Sequence, residues 1–320
     1  MTFNQEWERI CTVRVGPDQA GRSLLDLVAE RFTYQDREQW RRELVAGRLL
    51  HNGKPAPANR QLAAGDEICY RWPGEAEPPV VLAYQVVYED ADLLVVNKPA
   101  PLPCHPGGRY FRHTLWARLR QYAGLDRPCL VNRLDRETSG LVLVAKNQAA
   151  ARLCARQWQE RRVTKVYLVL VEGDFPWADL EARGSLASDP ASMIRKKVRF
   201  FPASCAAPAG ARSCCTRLRR LAGANGLTLV EARTVTGRYH QVRATLSGLG
   251  FPVVGDKLYG VDERLFLRFI EDRLSAEDRR RLRLPRQALH GAELSLRHPF
   301  DSRPLHFVSP LPPELSKLLA

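Results

Sequence analysis

Val131-Asn132-Arg133-Leu134-Asp135-Arg136-Glu137-Thr138-Ser139-Gly140 runs straight into Leu141-Val142-Leu143-Val144-Ala145, and the two halves ask for different structures. The second half is a short, unbroken apolar run after a glycine, the pattern of a strand buried on both faces. The first half ends in Thr-Ser-Gly, a turn-forming triplet, so Asp135 is presented on a turn that feeds a core strand. Arg133 and Arg136 flank it, and nearby cations lower an acid's pKa. A carboxylate held ionised in this way suits a nucleophile or a base better than a proton donor. Taken alone, Arg-Leu-Asp-Arg also fits a solvated helix face, so the reading needs support from the rest of the chain.

Working outward, residues 86–96 read as strand, turn, strand, and 140–145 and 166–171 as further buried strands, while helices are expected over 113–122 and 148–160. Strands outnumber clean strand-helix-strand units. The fold class expected is therefore α+β with a mixed, largely antiparallel sheet, and not a doubly wound parallel one. Toward the N-terminus, Leu24, Leu25, Leu27, Val28 and Phe32 recur at helical spacing, and a second helix is expected from Asp36 with Trp40, Leu44 and Val45. A strand then leads into the turn Asn52-Gly53, and Gly65-Asp66 into another strand. Pro73-Gly74-Glu75-Ala76-Glu77-Pro78-Pro79 has linker composition. The expected organisation is a small domain over 1–73, a linker over 74–80 and a larger domain over 81–320.

The 49 Lys and Arg residues against 35 Asp and Glu give a net charge of +14, a surplus that favours a polyanionic partner, nucleic acid first, through phosphate contacts and counterion release. The N-terminal residues lack the basic-then-apolar pattern of a leader, and no apolar run is long enough to span a bilayer; the expectation is a cytoplasmic protein with no membrane partner. The eight cysteines are scattered without a Cys-x-x-Cys pair, which reads as reduced, mostly buried thiols and no metal site.

Four further segments accompany the Asp135 turn: Val95-Val96-Asn97-Lys98-Pro99, Lys165-Val166-Tyr167, Thr236-Gly237-Arg238-Tyr239-His240-Gln241-Val242-Arg243, and Gly255-Asp256-Lys257-Leu258-Tyr259-Gly260. In this order and spacing the chain resembles the RluA-type RNA pseudouridine synthases over essentially its whole length. Residues 13–72, with Gly47-Arg48-Leu49-Leu50-His51-Asn52-Gly53 and Ala64-Gly65-Asp66-Glu67-Ile68, resemble the alpha-L RNA-binding module, with Arg31, Arg37, Arg41, Arg42 and Arg48 as a basic face. The chain departs from the family pattern at Asn132, Tyr239, Ala244-Thr245 and Phe251.

The resemblance implies isomerisation of particular uridines to pseudouridine in structured ribosomal or transfer RNA, by a monomer that needs no cofactor and no metal. It implies Asp135 as the catalytic carboxylate, Tyr167 as the aromatic residue that stacks on uracil and takes the proton from carbon 5, and Arg243 as the cation paired with the acid. A uridine stacked in RNA cannot reach such a site, so it must be flipped out; Arg133 is the candidate to fill the vacated place. Arg238, His240 and Gln241 are expected to shape the substrate site. Two rival readings remain open at this point: an RNA-binding factor without catalysis, and a hydrolase that uses Asp135 to release uracil.

Overall fold

A computed structural model describes residues 10–32, 35–71 and 77–320. Residues 1–9, 33–34 and 72–76, the last including residues 74–76 of the expected linker, lie outside the described residues. The chain forms two compact units, Met1–Pro78 with Gly107–Arg112, and Pro79–Pro106 with His113–Ala320.

In the first unit, strands β1 (Ile10–Arg14), β2 (Leu49–His51), β3 (Lys54–Pro55) and β4 (Glu67–Arg71) form an antiparallel sheet in the order β1-β4-β2-β3. Helices α1 (Leu24–Arg31) and α2 (Arg37–Val45) start where the sequence supplies caps: Ser23 accepts from the Asp26 amide, and Asp36 with Gln39 closes a capping box. Leu24, Leu27, Val28, Trp40, Leu49, Ile68 and Tyr70 form its core. The basic face expected here is partly neutralised: Arg37 pairs with Asp26, Arg41 with Glu38, and Arg48 with the buried Glu43.

The second unit is built on one eleven-stranded sheet. Its elements run β5 (Gln85–Glu89), β6 (Leu93–Lys98), α3 (Leu115–Tyr122), β7 (Cys129–Leu130), β8 (Ser139–Ala145), α4 (Gln148–Gln159), β9 (Thr164–Glu172), β10 (Asp179–Ser188), β11 (Val198–Pro202), β12 (Arg212–Ala224) and β13 (Leu227–Thr234). Then come α5 (Gln241–Gly248), α6 (Arg264–Ile270), α7 (Ala276–Leu282), β14 (Leu289–Arg297) and β15 (Pro304–Val308). The strand order is β11-β10-β12-β13-β9-β14-β8-β6-β5, with β15 on β14 and β7 on β8. Among the described residues β8–β14 is the one parallel pairing, so the sheet is mixed and mostly antiparallel, as the strand pattern requires.

That parallel pairing locates the site. It joins His290 to Ser139 and Gly291 to Gly140, while Gly291 faces Tyr167 on its other side. Gly140 has φ of 119°, and a Cβ there would stand 2.3 Å from the Gly291 carbonyl oxygen; only glycine allows the two strands to close at this point. Ser139 Oγ and His290 Nδ1 lie 2.8 Å apart beneath the pairing. The residues of β8 are buried throughout, packing on one side with Leu93 and Val95 and on the other with Leu94, Val96, Leu102 and Leu115. The turn that carries Asp135 is therefore rooted in a strand that cannot shift without opening two hydrophobic clusters.

The cysteines depart from expectation. All eight are free, but only Cys104, Cys154 and Cys214 are buried, and Cys205 is exposed. Cys11, Cys69, Cys129 and Cys215 are half-buried.

Candidate active site

Asp135 sits just before β8, in a turn closed by the Thr138 amide donating to the Asp135 carbonyl at 3.1 Å. Two ties fix that turn. Asn132, a departure from the family pattern, accepts from the Leu143 amide at 2.8 Å and donates to the Leu141 carbonyl at 3.2 Å, so its side chain acts as an extra strand partner for β8. Lys98 at the end of β6 is wholly buried, and its ammonium donates to the carbonyls of Pro99 at 2.9 Å, Leu102 at 2.8 Å and Arg136 at 3.5 Å. Burial, and secondarily the neighbouring guanidinium groups of Arg286 and Arg136, pushes this lysine down to about 8.

The charge facing Asp135 comes from α5. Arg243 donates from Nη1 to Asp135 Oδ2 at 2.7 Å, and its other edge makes a fork to Asp256, Nε to Oδ2 at 2.6 Å and Nη2 to Oδ1 at 2.9 Å. Asp256 is itself fixed by the amides of Leu258 and Tyr259 at 2.9 and 3.0 Å. Gly255, with φ of 75°, lets this segment approach the Arg286 carbonyl, where a Cβ would lie only 2.0 Å away. Burial favours protonating Asp135, but the Arg243 charge, with the hydrogen bonds from Arg243 and Gln287, holds its carboxyl below the usual aspartate value. The side chain is still 31% exposed, so the anion is both paired and reachable.

His240 completes the surround. Its Nε2 lies 3.8 Å from Asp135 Oδ2, and its Nδ1 lies 2.9 Å from the Tyr259 hydroxyl. That hydroxyl accepts from the Val198 amide at 3.1 Å, so its own proton is directed at Nδ1. Burial, then the Arg243 charge, pushes His240 down to about 4, and the imidazole is neutral near pH 7. The neutral ring therefore carries its proton on Nε2, toward Asp135. Gln287 adds a long contact, Nε2 to Oδ2 at 3.5 Å, while also donating to Thr138 Oγ1. All three neighbours converge on Oδ2. Among the described residues Oδ1 has no hydrogen bond.

Tyr167 on β9 packs against two hydrophobic clusters beside this centre. Burial first, and the charge of Asp135 second, pushes its phenol up to about 12, so it is protonated at neutral pH. Arg133 is exposed and makes no hydrogen bond or ion pair among the described residues. Arg238 donates from Nε to the Ser213 carbonyl at 3.1 Å. Gln241 is consumed by its own loop and by β12: Oε1 accepts from Thr236 Oγ1 and the Arg238 amide, and Nε2 donates to the Cys215 carbonyl and Thr216 Oγ1. The one grouping with metal-ligand chemistry among the described residues is Asp90, Asp92 and His298; there Arg303 already supplies a cation 3.0 Å from Asp90 Oδ2.

The model of the family described as RNA pseudouridylate synthase matches residues 92–248, a span that includes Asp135, Tyr167 and Arg243. Ribosomal large subunit pseudouridine synthase D of Neisseria meningitidis serogroup B is 30% identical over 282 residues, 86% of this chain and 71% of that protein. The chain belongs to the RluA-type RNA pseudouridine synthases. The mitochondrial tRNA pseudouridine(32) synthase of Saccharomyces cerevisiae is 30% identical over 243 residues, 76% of this chain but only 51% of that protein. Among solved structures, human RNA pseudouridylate synthase domain containing 1 matches with a TM-score of 0.56 at 28% identity, covering 75% of this chain and 89% of that one.

In this RluA-type synthase, sequence reasoning named the acid and its cation but missed Gln287, Tyr259 and the bonding role of Asp256. The motif containing Asp256 and Tyr259 was visible, yet nothing in its spacing says that it grips Arg243. Gln287 lies in Arg286-Gln287-Ala288, a polar step just outside an apolar strand, with no periodic signal.

Proposed function

We propose that Asp135 is the catalytic carboxylate of a uridine-to-pseudouridine isomerisation, acting on a uridine flipped out of structured ribosomal or transfer RNA. The observation that carries this reading is the asymmetry of the carboxylate. Oδ2 receives Arg243, Gln287 and the His240 edge, while Oδ1 has no hydrogen bond among the described residues and the side chain is part exposed. An ionised acid with one oxygen anchored and the other open can start cleavage of the bond between C1′ and N1, by attack on the sugar or by promoting loss of uracil through a glycal. The uracil then turns and C5 bonds to C1′, displacing the acid or closing the glycal; the C5 proton leaves to solvent and N1 takes one up in its place. The RNA keeps its mass, and no cofactor is called for.

Arg243 holds the acid ionised and aimed, and Asp256 keeps the guanidinium from turning away. Tyr167 enters as a neutral phenol, which favours stacking on the uracil; as a base for the C5 proton it would first have to lose its own. Arg133, exposed and without a partner among the described residues, is suited to occupy the stack that the uridine leaves. Arg238 and Gln241 shape the segment between β13 and α5 and so set the position of His240. We assign the alpha-L RNA-binding role to the 1–73 domain, joined by the 74–80 linker to a catalytic domain over 81–320 in a cytoplasmic monomer.

The test is Asp135→Asn and Asp135→Ala, assayed by tritium release from RNA transcribed with 5-tritiated uridine. Loss of release by at least about 10³-fold, with RNA affinity within a few-fold of the parent, supports the assignment; an active Asp135→Ala protein overturns it.

A further inference from the structure

Tyr239 is the residue of the 236–243 segment that the segment itself does not use. Its ring lies on the His240 imidazole, with centroids 3.6 Å apart and planes inclined by 22°. The residue is nonetheless 51% exposed, and its hydroxyl makes no hydrogen bond among the described residues. His240 is in turn met edge-on by Tyr259, at 5.4 Å and 87°, and the Arg243 guanidinium lies 4.9 Å from the Tyr259 ring. The rings thus form a column that begins at the buried cation and ends at solvent in Tyr239.

Single exposed aromatic residues need no explanation; the surroundings of this one do. Tyr239 stands next to the acid through His240: the imidazole it covers has Nε2 3.8 Å from Asp135 Oδ2. Lys196, in the connection from β10 to β11, is also within reach of Arg243 and Asp135. Its ammonium stands 4.3 Å from the Phe266 ring centroid and has no carboxylate partner among the described residues. The connection is anchored beside it, because Glu263 takes Ser192 Oγ at 2.7 Å and Lys197 Nζ at 2.9 Å. An aromatic ring with one face covered, near an ammonium that has no carboxylate partner among the described residues, is complementary to a nucleotide: a base for the ring and a phosphate for the ammonium.

We propose that the uncovered face of Tyr239 is a stacking platform for a second RNA base, a strand neighbour of the uridine presented to Asp135, with Lys196 on a flanking phosphate. This rests on the isomerase reading for the identity of the neighbour, but the platform is tested independently of it. Every base has a π face, so the subsite accepts any base and contributes affinity more than sequence choice.

The full chain, as parent, Tyr239→Leu, Tyr239→Phe and Lys196→Gln, is titrated with a fluorescein-labelled oligouridylate at several salt concentrations. Tyr239→Leu is expected to bind about 5- to 150-fold more weakly, the range for loss of one base–aromatic stack, and Tyr239→Phe to restore binding to within about twofold. Lys196→Gln is expected to flatten the log–log salt dependence by about 0.7, one phosphate contact on a single strand. With RNA transcripts as substrate, Tyr239→Leu raises KM more than it lowers kcat. Parental binding by Tyr239→Leu, or an unchanged salt slope in Lys196→Gln, overturns the platform. A Tyr239→Leu defect that Tyr239→Phe does not rescue also overturns it, since that result marks a packing role over His240. A parent that shows the Tyr239 effect on oligouridylate yet forms no pseudouridine sinks the isomerase reading and leaves the platform standing.

Discussion

Replacing Arg243 by Met removes one guanidinium from between two carboxylates while nearly keeping its volume. Asp256 has no exposed side-chain surface, and Arg243 is its only charged partner among the described residues. Breaking a buried pair from one side leaves an uncompensated charge, which costs about 3–5 kcal/mol. The pH dependence separates this cause from lost packing. In the parent, burial favours protonating Asp256, and the Arg243 charge and fork hold its carboxyl below the usual value. A depressed folded pKa gives stability that is present above the unfolded pKa and lost as the pH falls through the folded one. Without Arg243 only the Leu258 and Tyr259 amides oppose the burial cost; burial outweighs them and the folded pKa rises above the unfolded one, so acidification relieves the variant. Urea unfolding of the larger unit should show a deficit of about 3–5 kcal/mol at pH 7 that shrinks by about 1–3 kcal/mol at pH 5. Arg243→Lys, which keeps the charge but not the fork, should fall between parent and Met. A deficit under about 1 kcal/mol, or one equal at both pH values, would refute the reasoning.

Lys98→Met should unfold about 2–4 kcal/mol more easily in a denaturant titration, because the Pro99 and Leu102 carbonyls lose their donor; a neutral or stabilising result would show that desolvation of the ammonium outweighs those bonds. His240 and His290 are both pushed down to about 4, chiefly by burial. Their unfolded counterparts take up protons near 6.5, so these two histidines contribute stability that is complete above that value and lost as the pH falls toward 4. Nitrogen-15 NMR should show both rings neutral at pH 5.5, with the His240 proton on Nε2, and titration of either near 6.5 would contradict the burial argument.

How much of this was legible in the residues differs by element. Strand β8 and the Asp135 turn could be read because Leu141-Val142-Leu143-Val144-Ala145 is buried on both faces, and a fully apolar strand leaves its signature in composition alone. The helices near 113–122 and 148–160 were placed to within a residue or two, since Thr114 and Asn147 cap them. The parallel β8–β14 pairing was not legible, because it joins residues about 150 positions apart through two glycines whose role is to have no side chain. Lys98 reads as a surface residue by type, and only the fold shows three carbonyls enclosing it. The division of labour at Asp135, Oδ2 held and Oδ1 open, depends on side-chain direction and could not come from spacing.

The most direct measurement is nucleoside analysis, with intact-mass determination, of in vitro transcribed ribosomal and transfer RNA after incubation with the purified protein. The account predicts pseudouridine at a few positions, RNA of unchanged mass, no free uracil, and none of this with Asp135→Asn. Uracil release with a matching loss of RNA mass would contradict it, as would a folded protein that binds these RNAs and leaves every uridine as it was.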